Sequence, residues 1–344
     1  MSRGTILKIL VVVIALGGLA FAGARYELTV PPVEQPQLSG VIQSDTVDVG
    51  GKTRSFRIYA PRLLAAEAPL VIVFHGSMQT ADEVRRAMGY GLDRVADRNQ
   101  FAVVYAEGYE GNWNDCRKAA SYAARKENID DVGFALAIIE KMHARYQIEP
   151  ARVFAVGYSS GAQMAIRLAL EAPQRLAGIA VIAAGVPTPD NLDCKPNDGP
   201  WPVPAIVIDG TEDPINPFNG GNVSIFGFAS RGKVLSAKES GKYLAERNGL
   251  MGAPSVMLLP KIHPDDPTEV ERTIWDEPGK REVELDAIKG GGHVIPQPRA
   301  QTMRALGTMS TNFDAPEEIW KFFSRQLPFT QPNAVPVGPI KDGR

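Results

Sequence analysis

The sequence predicts an α/β fold in which helices cover both faces of a mostly parallel sheet. Short apolar runs alternate with stretches of helical periodicity along most of the 344 residues. The runs at 69–74, 153–156 and 205–208 are apolar throughout, which is typical of strands buried on both faces. One of these strands leads through a Gly-x-Ser-x-Gly turn into a helical stretch at 160–171. Alternation of this kind, with no linker inside it, predicts one α/β domain.

The remaining elements follow from the same patterns. Alternating residues on both sides of a Gly-Gly pair predict a hairpin at 46–59. Apolar residues at helical spacing, with Asp130 or Asp131 as the N-cap, predict a helix over 131–146. Further helices are predicted at 81–99, 238–248 and 316–325, further strands at 101–105, 178–182 and 255–259, and a hairpin-like stretch at 269–288.

The first residues of the chain have the pattern of an export signal. Arg3 and Lys8 precede an apolar run at 9–22, and small residues follow. This pattern predicts a secretory signal peptide over residues 1–24. An uncleaved membrane anchor is the alternative, although the run is shorter than the about 20 residues that span a bilayer. In both cases we expect a secreted or periplasmic domain, with membrane contact only if the segment stays uncleaved.

The chain between the signal and the C-terminus divides by composition. Residues 25–44 are rich in proline and predict an extended lead-in, and residues 328–344 form a second proline-rich segment, the tail. Residues 45–327 carry the strand and helix patterns and make up the predicted catalytic domain.

The charged residues are balanced in sign. The chain has 37 Lys and Arg residues against 39 Asp and Glu residues, a formal net charge of −2. It lacks the Lys/Arg cluster that a nucleic-acid groove requires. We therefore expect no nucleic-acid partner.

The two cysteines, Cys116 and Cys194, are expected to form a disulfide. In an oxidising compartment two thiols on one chain usually pair. Two unrelated buried thiols are the alternative. Neither cysteine has a Cys or His at ligand spacing beside it, so we expect no metal site.

The candidate nucleophile lies in the sequence Gly157-Tyr158-Ser159-Ser160-Gly161. A strand precedes this motif and a helix follows it, the setting of a nucleophile elbow. The glycines avoid collisions with the neighbouring strand and helix, and the turn raises the serine hydroxyl above the sheet. Ser159, central between the glycines, is the predicted nucleophile rather than Ser160. A Gly/Ser helix start without chemistry is the alternative.

The candidate base is one of four histidines. His293 follows three glycines and a strand, and it lies after the candidate acid, as the chain order Ser, acid, His requires. His75 precedes the nucleophile and is interpreted as a loop brace. His143 belongs to an amphipathic helix and His263 to a polar loop.

The candidate acid leaves the strand between the nucleophile and the base. Three carboxylates follow this strand, at Asp209, Glu212 and Asp213. Asp209 is still close to the strand, where a structural role is expected. Asp213 lies beyond a glycine turn, next to Pro214, where its carboxylate can return to the imidazole. Asp213 is therefore the predicted acid, which fixes the histidine tautomer and stabilises the imidazolium.

Two backbone N–H groups are expected to form an oxyanion hole. One belongs to Ser160, directly after the nucleophile, and the other to Ser77, in the loop after an early strand. A serine, a histidine, an acid and two such donors in this order indicate an α/β-hydrolase fold that carries out acyl transfer.

The chain resembles the polyhydroxybutyrate-depolymerase-like esterases, which overlap with bacterial feruloyl and acetylxylan esterases. The resemblance covers about 46–327. Its matching stretches are 71–81, 112–115, 130–134, 157–165, 209–214, 218–221, 291–293, 312–314 and 319–323. It implies ester hydrolysis through an acyl-enzyme, small-molecule or polymeric ester substrates, and no cofactor.

The resemblance also bears on substrate contacts. It implies that Trp113 borders the active-site cleft, although a packing role for this residue is equally consistent with the sequence. Relatives commonly have Asn where this chain has Ser160, and an aromatic residue where it has Val294-Ile295-Pro296. These departures affect the expected specificity and leave the three catalytic candidates in place.

Two other readings of the same residues stay open. A peptidase or an acyltransferase can use the same fold, because a fold does not determine a reaction. A binding protein that kept the scaffold without catalysis is a second alternative. Ser159, Asp213 and His293 are all present, which argues against such a relic, since a relic would be free to lose one of them.

Overall fold

The computed structural model describes residues 30–197, 199, 201–327 and 334–336 of the chain. The predicted signal peptide, residues 1–24, lies outside the described residues, as do most of the tail and the first residues of the lead-in. In the described part of the chain, no helix is both long and apolar enough to cross a membrane.

A ten-stranded sheet forms the centre of the molecule, in the order β1-β2-β5-β4-β6-β7-β8-β13-β12-β11. The strands from β5 to β13 in this order pair in parallel, and the two strands at each edge pair antiparallel. Two short ribbons, β9-β10 and β3-β14, stand apart from it. The strands are β1 Val41–Val49, β2 Lys52–Ala60, β3 Leu63–Ala65, β4 Leu70–Phe74, β5 Ala102–Ala106, β6 Val153–Tyr158, β7 Gly178–Ile182, β8 Ala205–Gly210, β9 Gly221–Asn222, β10 Lys233–Val234, β11 Ser255–Leu258, β12 Glu269–Trp275, β13 Val283–Lys289 and β14 Ala334–Pro336.

Helices lie on both faces of the large sheet. The α-helices are α1 Ala81–Ala87, α2 Gly91–Asn99, α3 Ala123–Lys126, α4 Asp131–Tyr146, α5 Ser160–Glu171, α6 Ala237–Arg247 and α7 Ala315–Gln326, with short 3₁₀ turns at Pro150–Arg152, Pro173–Arg175 and Arg304–Leu306. Asp130 caps α4, since its carboxylate accepts a hydrogen bond from the N–H of Gly133 at 2.7 Å.

Two apolar cores separate according to the alternation of side chains along the strands. In β4, Ile72 belongs to the core under α4, α5 and α6, and Val71 and Val73 belong to the core under α1, α2 and α7. Every residue of β4, β5, β6, β7 and β8 is buried. The predicted α/β-hydrolase architecture, a mostly parallel sheet with helices on both faces, is confirmed.

The helix predicted over 81–99 is wrong as a single element, because it is two helices. Gly89 and Tyr90 adopt left-handed backbone conformations, with φ of 58° and 54°, and end the first helix. Gly91 then packs against Pro316 of α7, where a Cβ on Gly91 would lie 2.5 Å from the proline ring. Helical periodicity continues through the break, so tertiary packing determines where the chain bends.

Cys116 and Cys194 form a disulfide, as predicted. The bond joins the loop after β5 to the loop after β7. Next to it, the N–H of Asp193 donates to the carbonyl oxygen of Cys116 at 2.9 Å. The covalent and hydrogen-bonded contacts together hold the two loops in register.

We expect the double variant Cys116→Ala/Cys194→Ala to lose free energy of unfolding. The bond closes a loop with a sequence separation of 78 residues, and the loss of such a cross-link costs about 4 kcal/mol in the chain-entropy model. Urea denaturation of both proteins measures the difference. A reductant should bring the wild type to the level of the variant and leave the variant unchanged. Equal midpoints for the oxidised wild type and the variant would contradict this account.

Candidate active site

Ser159 lies at a sharp turn between β6 and α5. Its backbone has φ 54° and ψ −118°, a sparsely populated conformation for a residue with a side chain. The surrounding backbone leaves no space for other side chains at the flanking glycines. A Cβ on Gly157 would lie 2.2 Å from the carbonyl oxygen of Gly161, and one on Gly161 would lie 2.0 Å from that of Phe74. These contacts explain why the motif requires both glycines.

A line of hydrogen bonds connects the serine, the histidine and the acid predicted from the sequence. Nε2 of His293 lies 2.9 Å from Oγ of Ser159, and Nδ1 of His293 lies 2.7 Å from Oδ2 of Asp213. Oδ1 of Asp213 accepts from the N–H groups of Ile215 and Asn216 at 2.7 and 2.8 Å. The loop after β8 therefore fixes the carboxylate, and the carboxylate fixes the imidazole.

The backbone of His293 is held from two sides. Its N–H donates to the carbonyl oxygen of Leu306 at 2.6 Å. Its own carbonyl oxygen accepts from the phenol of Tyr158, the residue before the candidate nucleophile, at 2.8 Å. The side chain of His293 is 5 % exposed, so the imidazole has little freedom to leave Ser159.

The other two carboxylates after β8 have different surroundings. Glu212 is exposed to solvent. Asp209 is 2 % exposed. Burial, together with the negative charge of nearby Asp213, raises the pKa of Asp209 well above its ordinary value. Burial therefore favours the protonated form of Asp209, while Asp213 has the hydrogen-bond donors that a carboxylate requires.

One candidate oxyanion donor follows Ser159 directly in the chain, and the other shares its cavity. The N–H of Ser160 belongs to the first turn of α5, and Ser77 lines the same cavity as Ser159. Among the described residues, neither N–H donates a hydrogen bond to another group. The Ser77 loop is fixed by its neighbours, since Gly76 donates to Oε1 of Gln79 at 2.9 Å and Met78 donates to the Gly111 carbonyl at 2.8 Å.

His75 braces this loop from inside the protein. Its Nε2 accepts from the N–H of Gly108 at 2.9 Å, which leaves Nδ1 to donate to the carbonyl oxygen of Gly76 at 2.7 Å. Burial lowers the pKa of the imidazole. A neutral ring with both nitrogens engaged supports the loop and has no free nitrogen for proton transfer.

The structure corrects the expectation that Trp113 borders the cleft. Trp113 is 0 % exposed and does not line the cavity. Its Nε1–H donates to the carbonyl oxygen of His75 at 2.8 Å, and its ring packs edge-on against Phe74. Trp113 thus supports the Ser77 loop from below. Val294 and Ile295, which stand where relatives commonly have an aromatic residue, are also buried and do not line the cavity.

A cavity of about 620 Å³ contains the hydroxyl of Ser159 and the imidazole of His293. Residues 30–33 of the lead-in form part of its wall. Its aromatic residues are Tyr122, Tyr158 and Phe226, and Arg231 lines it as well. No group of three or more His, Cys, Asp or Glu side chains in the described part of the chain is arranged to hold a metal ion.

Tyr122, Phe226 and Arg231 were not predicted from the sequence. They come from separate loops that carry no motif, so periodicity and spacing do not reveal them. The predicted disulfide is the one usable signal, because it ties the segment that leads to Tyr122 against the loop after β7.

Comparisons with known proteins relate this chain to esterases. Residues 54–189 match the family model described as "Esterase PHB depolymerase". A protein of Nocardia uniformis subsp. tsuyamanensis, named "Putative esterase NocK", is 28% identical over 274 residues, 77% of each chain. "Poly(3-hydroxyalkanoate) depolymerase C" of Paucimonas lemoignei is 32% identical over 39% of this chain and 32% of its own length.

A solved structure, "Acetyl xylan esterase from Aspergillus awamori", shares the fold. It superposes with a TM-score of 0.54 at 17% identity, over 83% of this chain and 99% of that chain.

The family match and the fold define the predicted class, a carboxylic ester hydrolase with the α/β-hydrolase fold. The match of residues 54–189 to this family model confirms the resemblance seen in the sequence. This chain spans 77% of the length of the Nocardia protein but only 32% of the length of the Paucimonas depolymerase.

We expect Asp209→Asn to raise the Tm near neutral pH, and the gain to shrink as the pH falls to about 4. The unfolded chain ionises Asp209 near its ordinary pKa of about 3.9, whereas the raised pKa in the folded chain lets Asp209 hold its proton to higher pH. The wild type therefore loses stability as the pH rises from the unfolded pKa towards the folded one. Asparagine does not ionise, so the stability of the variant does not fall with rising pH for this reason.

Calorimetry of both proteins from about pH 4 to about pH 7.5 covers this window. Ester hydrolysis by the variant serves as the control for an intact site. A difference in Tm that stays constant across the pH range would contradict the assignment of a buried, protonated Asp209.

Proposed function

We propose that the protein is a serine esterase that hydrolyses carboxylic esters through an acyl-enzyme, with Ser159 as nucleophile, His293 as base and Asp213 as acid. The observation that carries the proposal is the hydrogen-bonded line from Ser159 to Asp213 at a strained strand–turn–helix junction. In this arrangement each of the three side chains has the position that its role in acyl transfer requires.

In the first half of the reaction, His293 accepts the Ser159 proton at Nε2 as Oγ attacks the ester carbonyl. Asp213, whose Oδ2 lies 2.7 Å from Nδ1, stabilises the imidazolium that forms and does not take its proton. His293 then donates this proton to the leaving alcohol. The acyl group stays on Ser159 as an ester.

The backbone N–H groups of Ser160 and Ser77 stabilise the charge on the tetrahedral oxyanion. Ser77 lines the cavity, Ser160 follows Ser159 in the first turn of α5, and in the described part of the chain neither N–H donates to another acceptor. Because the turn and the loop are already fixed, little reorganisation is required at the moment of reaction. In the second half, water attacks the acyl-enzyme and the same groups repeat their roles.

The size of the cavity favours small soluble esters over an insoluble polyester. A volume of about 620 Å³ falls in the range of sites that enclose small ligands. Tyr122, Tyr158 and Phe226 offer aromatic contacts for an acyl or alcohol group. The relatives include "Feruloyl esterase B" of Piromyces equi, 26% identical over 66% of this chain, so small aromatic esters are included in the proposal.

The proposal includes export of the protein from the cytoplasm. The signal pattern at residues 1–24 and the Cys116–Cys194 disulfide both favour a secreted or periplasmic protein, because such bonds form and persist in oxidising compartments. The domain over residues 45–327 would then act outside the cytoplasm.

We expect Ser159→Ala to lower kcat for a soluble ester by about 10⁶, the scale seen when a catalytic serine is removed. Ser160→Ala is the matched control, because it removes a neighbouring hydroxyl and keeps the backbone N–H. Steady-state rates on a butyryl ester and circular dichroism of both variants measure activity and fold. Loss of activity in Ser160→Ala with near-wild-type rates in Ser159→Ala would move the nucleophile to Ser160.

A further inference from the structure

One cation that lines the cavity, Arg231, has no carboxylate partner among the described residues. Arg231 donates from Nε to the phenol oxygen of Tyr122 at 2.9 Å, and from Nη1 to the carbonyl oxygen of Ala229 at 2.8 Å. Both acceptors are neutral. Across the described residues, no Asp or Glu side chain forms an ion pair with Arg231, and its Nη2 has no hydrogen-bond acceptor.

Arg117, which lines the same cavity, shows the contrast. Its Nε and Nη2 donate to both carboxylate oxygens of Asp115, at 3.1 and 2.6 Å. This bidentate pair neutralises the charge of Arg117 before any ligand enters. Arg231 therefore keeps a charge and donor capacity that Arg117 does not.

The protein fixes the position of the Arg231 backbone with a buried amide. The side chain of Asn191 is buried, and it donates to the carbonyl oxygens of Arg231 and Lys233 at 3.0 Å each. Its amide oxygen accepts from the N–H of Ala119 at 3.0 Å. Three loops are joined at this point, and the disulfide at Cys116 strengthens the connection. A guanidinium whose position is restricted before the ligand binds loses less conformational entropy on binding an anion.

Hydrogen bonds also link Arg231 to the Ser77 loop, and Arg231 lines the same cavity as Ser159. The phenol oxygen of Tyr122 that accepts from Arg231 is 2.7 Å from Oγ of Ser77. Two hydrogen bonds thus separate the guanidinium from the residue proposed to stabilise the oxyanion. The guanidinium carbon lies 4.6 Å from the centre of the Tyr122 ring, which orients the group further. A substrate bound at Ser159 would share its cavity with this guanidinium.

From these contacts we infer that Arg231 binds a carboxylate carried by the substrate, so that the enzyme prefers esters with a free carboxylate over neutral esters. Half-esters of dicarboxylic acids and short hydroxy-acid oligomers with a free acid end belong to this class. A guanidinium suits the role because it pairs with both oxygens of a carboxylate. The inference rests on the proposed function and adds a specificity-determining residue to it.

The test compares two esters that differ only in charge. Monoethyl adipate carries a carboxylate, and its carboxamide analogue, ethyl 5-carbamoylpentanoate, is neutral and nearly isosteric. Ethanol release gives kcat/KM for each ester, and the ratio of the two values reports recognition of the charge. The variants are Arg231→Gln, Arg231→Lys and, as control, Arg86→Gln, which removes a solvent-exposed charge from the same cavity.

We expect Arg231→Gln to lower the ratio about tenfold, mainly through KM, which corresponds to about 1.4 kcal/mol. Arg231→Lys should recover part of the ratio, because it keeps the charge without the planar fork. An unchanged ratio in Arg231→Gln, or an equal fall in Arg86→Gln, would overturn the inference. If the wild type hydrolyses neither ester, the proposed function is wrong; if it hydrolyses both and Arg231→Gln leaves the ratio unchanged, only the role of Arg231 is wrong.

Discussion

The backbone of Ser159 is held in a conformation that an isolated chain would rarely adopt, and the sheet around it is what holds it there. With φ at 54° and ψ at −118°, this residue carries a local cost on the order of 1–3 kcal/mol. The strain persists because β4, β6 and α5 approach so closely that only glycine fits at positions 157 and 161. These strands lie at the centre of the sheet and are buried on both faces. Packing along the sheet therefore sets the position of a single hydroxyl.

Less regular segments complete the site, and each is tied down by specific contacts. Backbone N–H groups hold Asp213, the Leu306 carbonyl and the Tyr158 phenol hold His293, and Trp113 supports the loop of Ser77 through His75. Loops carry chemistry well when a rigid scaffold fixes their ends. Tyr122 and Arg231 form part of the cavity wall. The disulfide and Asn191 hold the loops that bring these two residues together. The proposed hydrolytic centre and the proposed carboxylate-binding residue thus share one cavity.

Sequence patterns predict those parts of this protein that depend on local geometry. The apolar strands, the helix bounds at 131–146 and 160–171 and the turn at Ser159 are all properties of short segments, and the structure has them at those positions. His293 and Asp213 follow from chain order, and the structure brings both to Ser159. Contacts between distant segments are not visible in this way. Trp113 is buried under a loop, the helix at 81–99 breaks where Gly91 meets Pro316, and Arg231 reaches the cavity through a loop without a motif.

The central claim is that this fold makes the Ser159 hydroxyl a nucleophile and directs the oxyanion to two backbone N–H groups. The most direct test is to treat the folded protein with a fluorophosphonate, map the adduct by tandem mass spectrometry and solve the structure of the adduct. We predict a single modified residue, Ser159, with a phosphonyl oxygen about 3 Å from the N–H groups of Ser160 and Ser77. We also predict that His293→Ala slows the labelling severely, since no base then takes the proton. An adduct on a different serine, or a folded and active enzyme that forms none, would contradict the account.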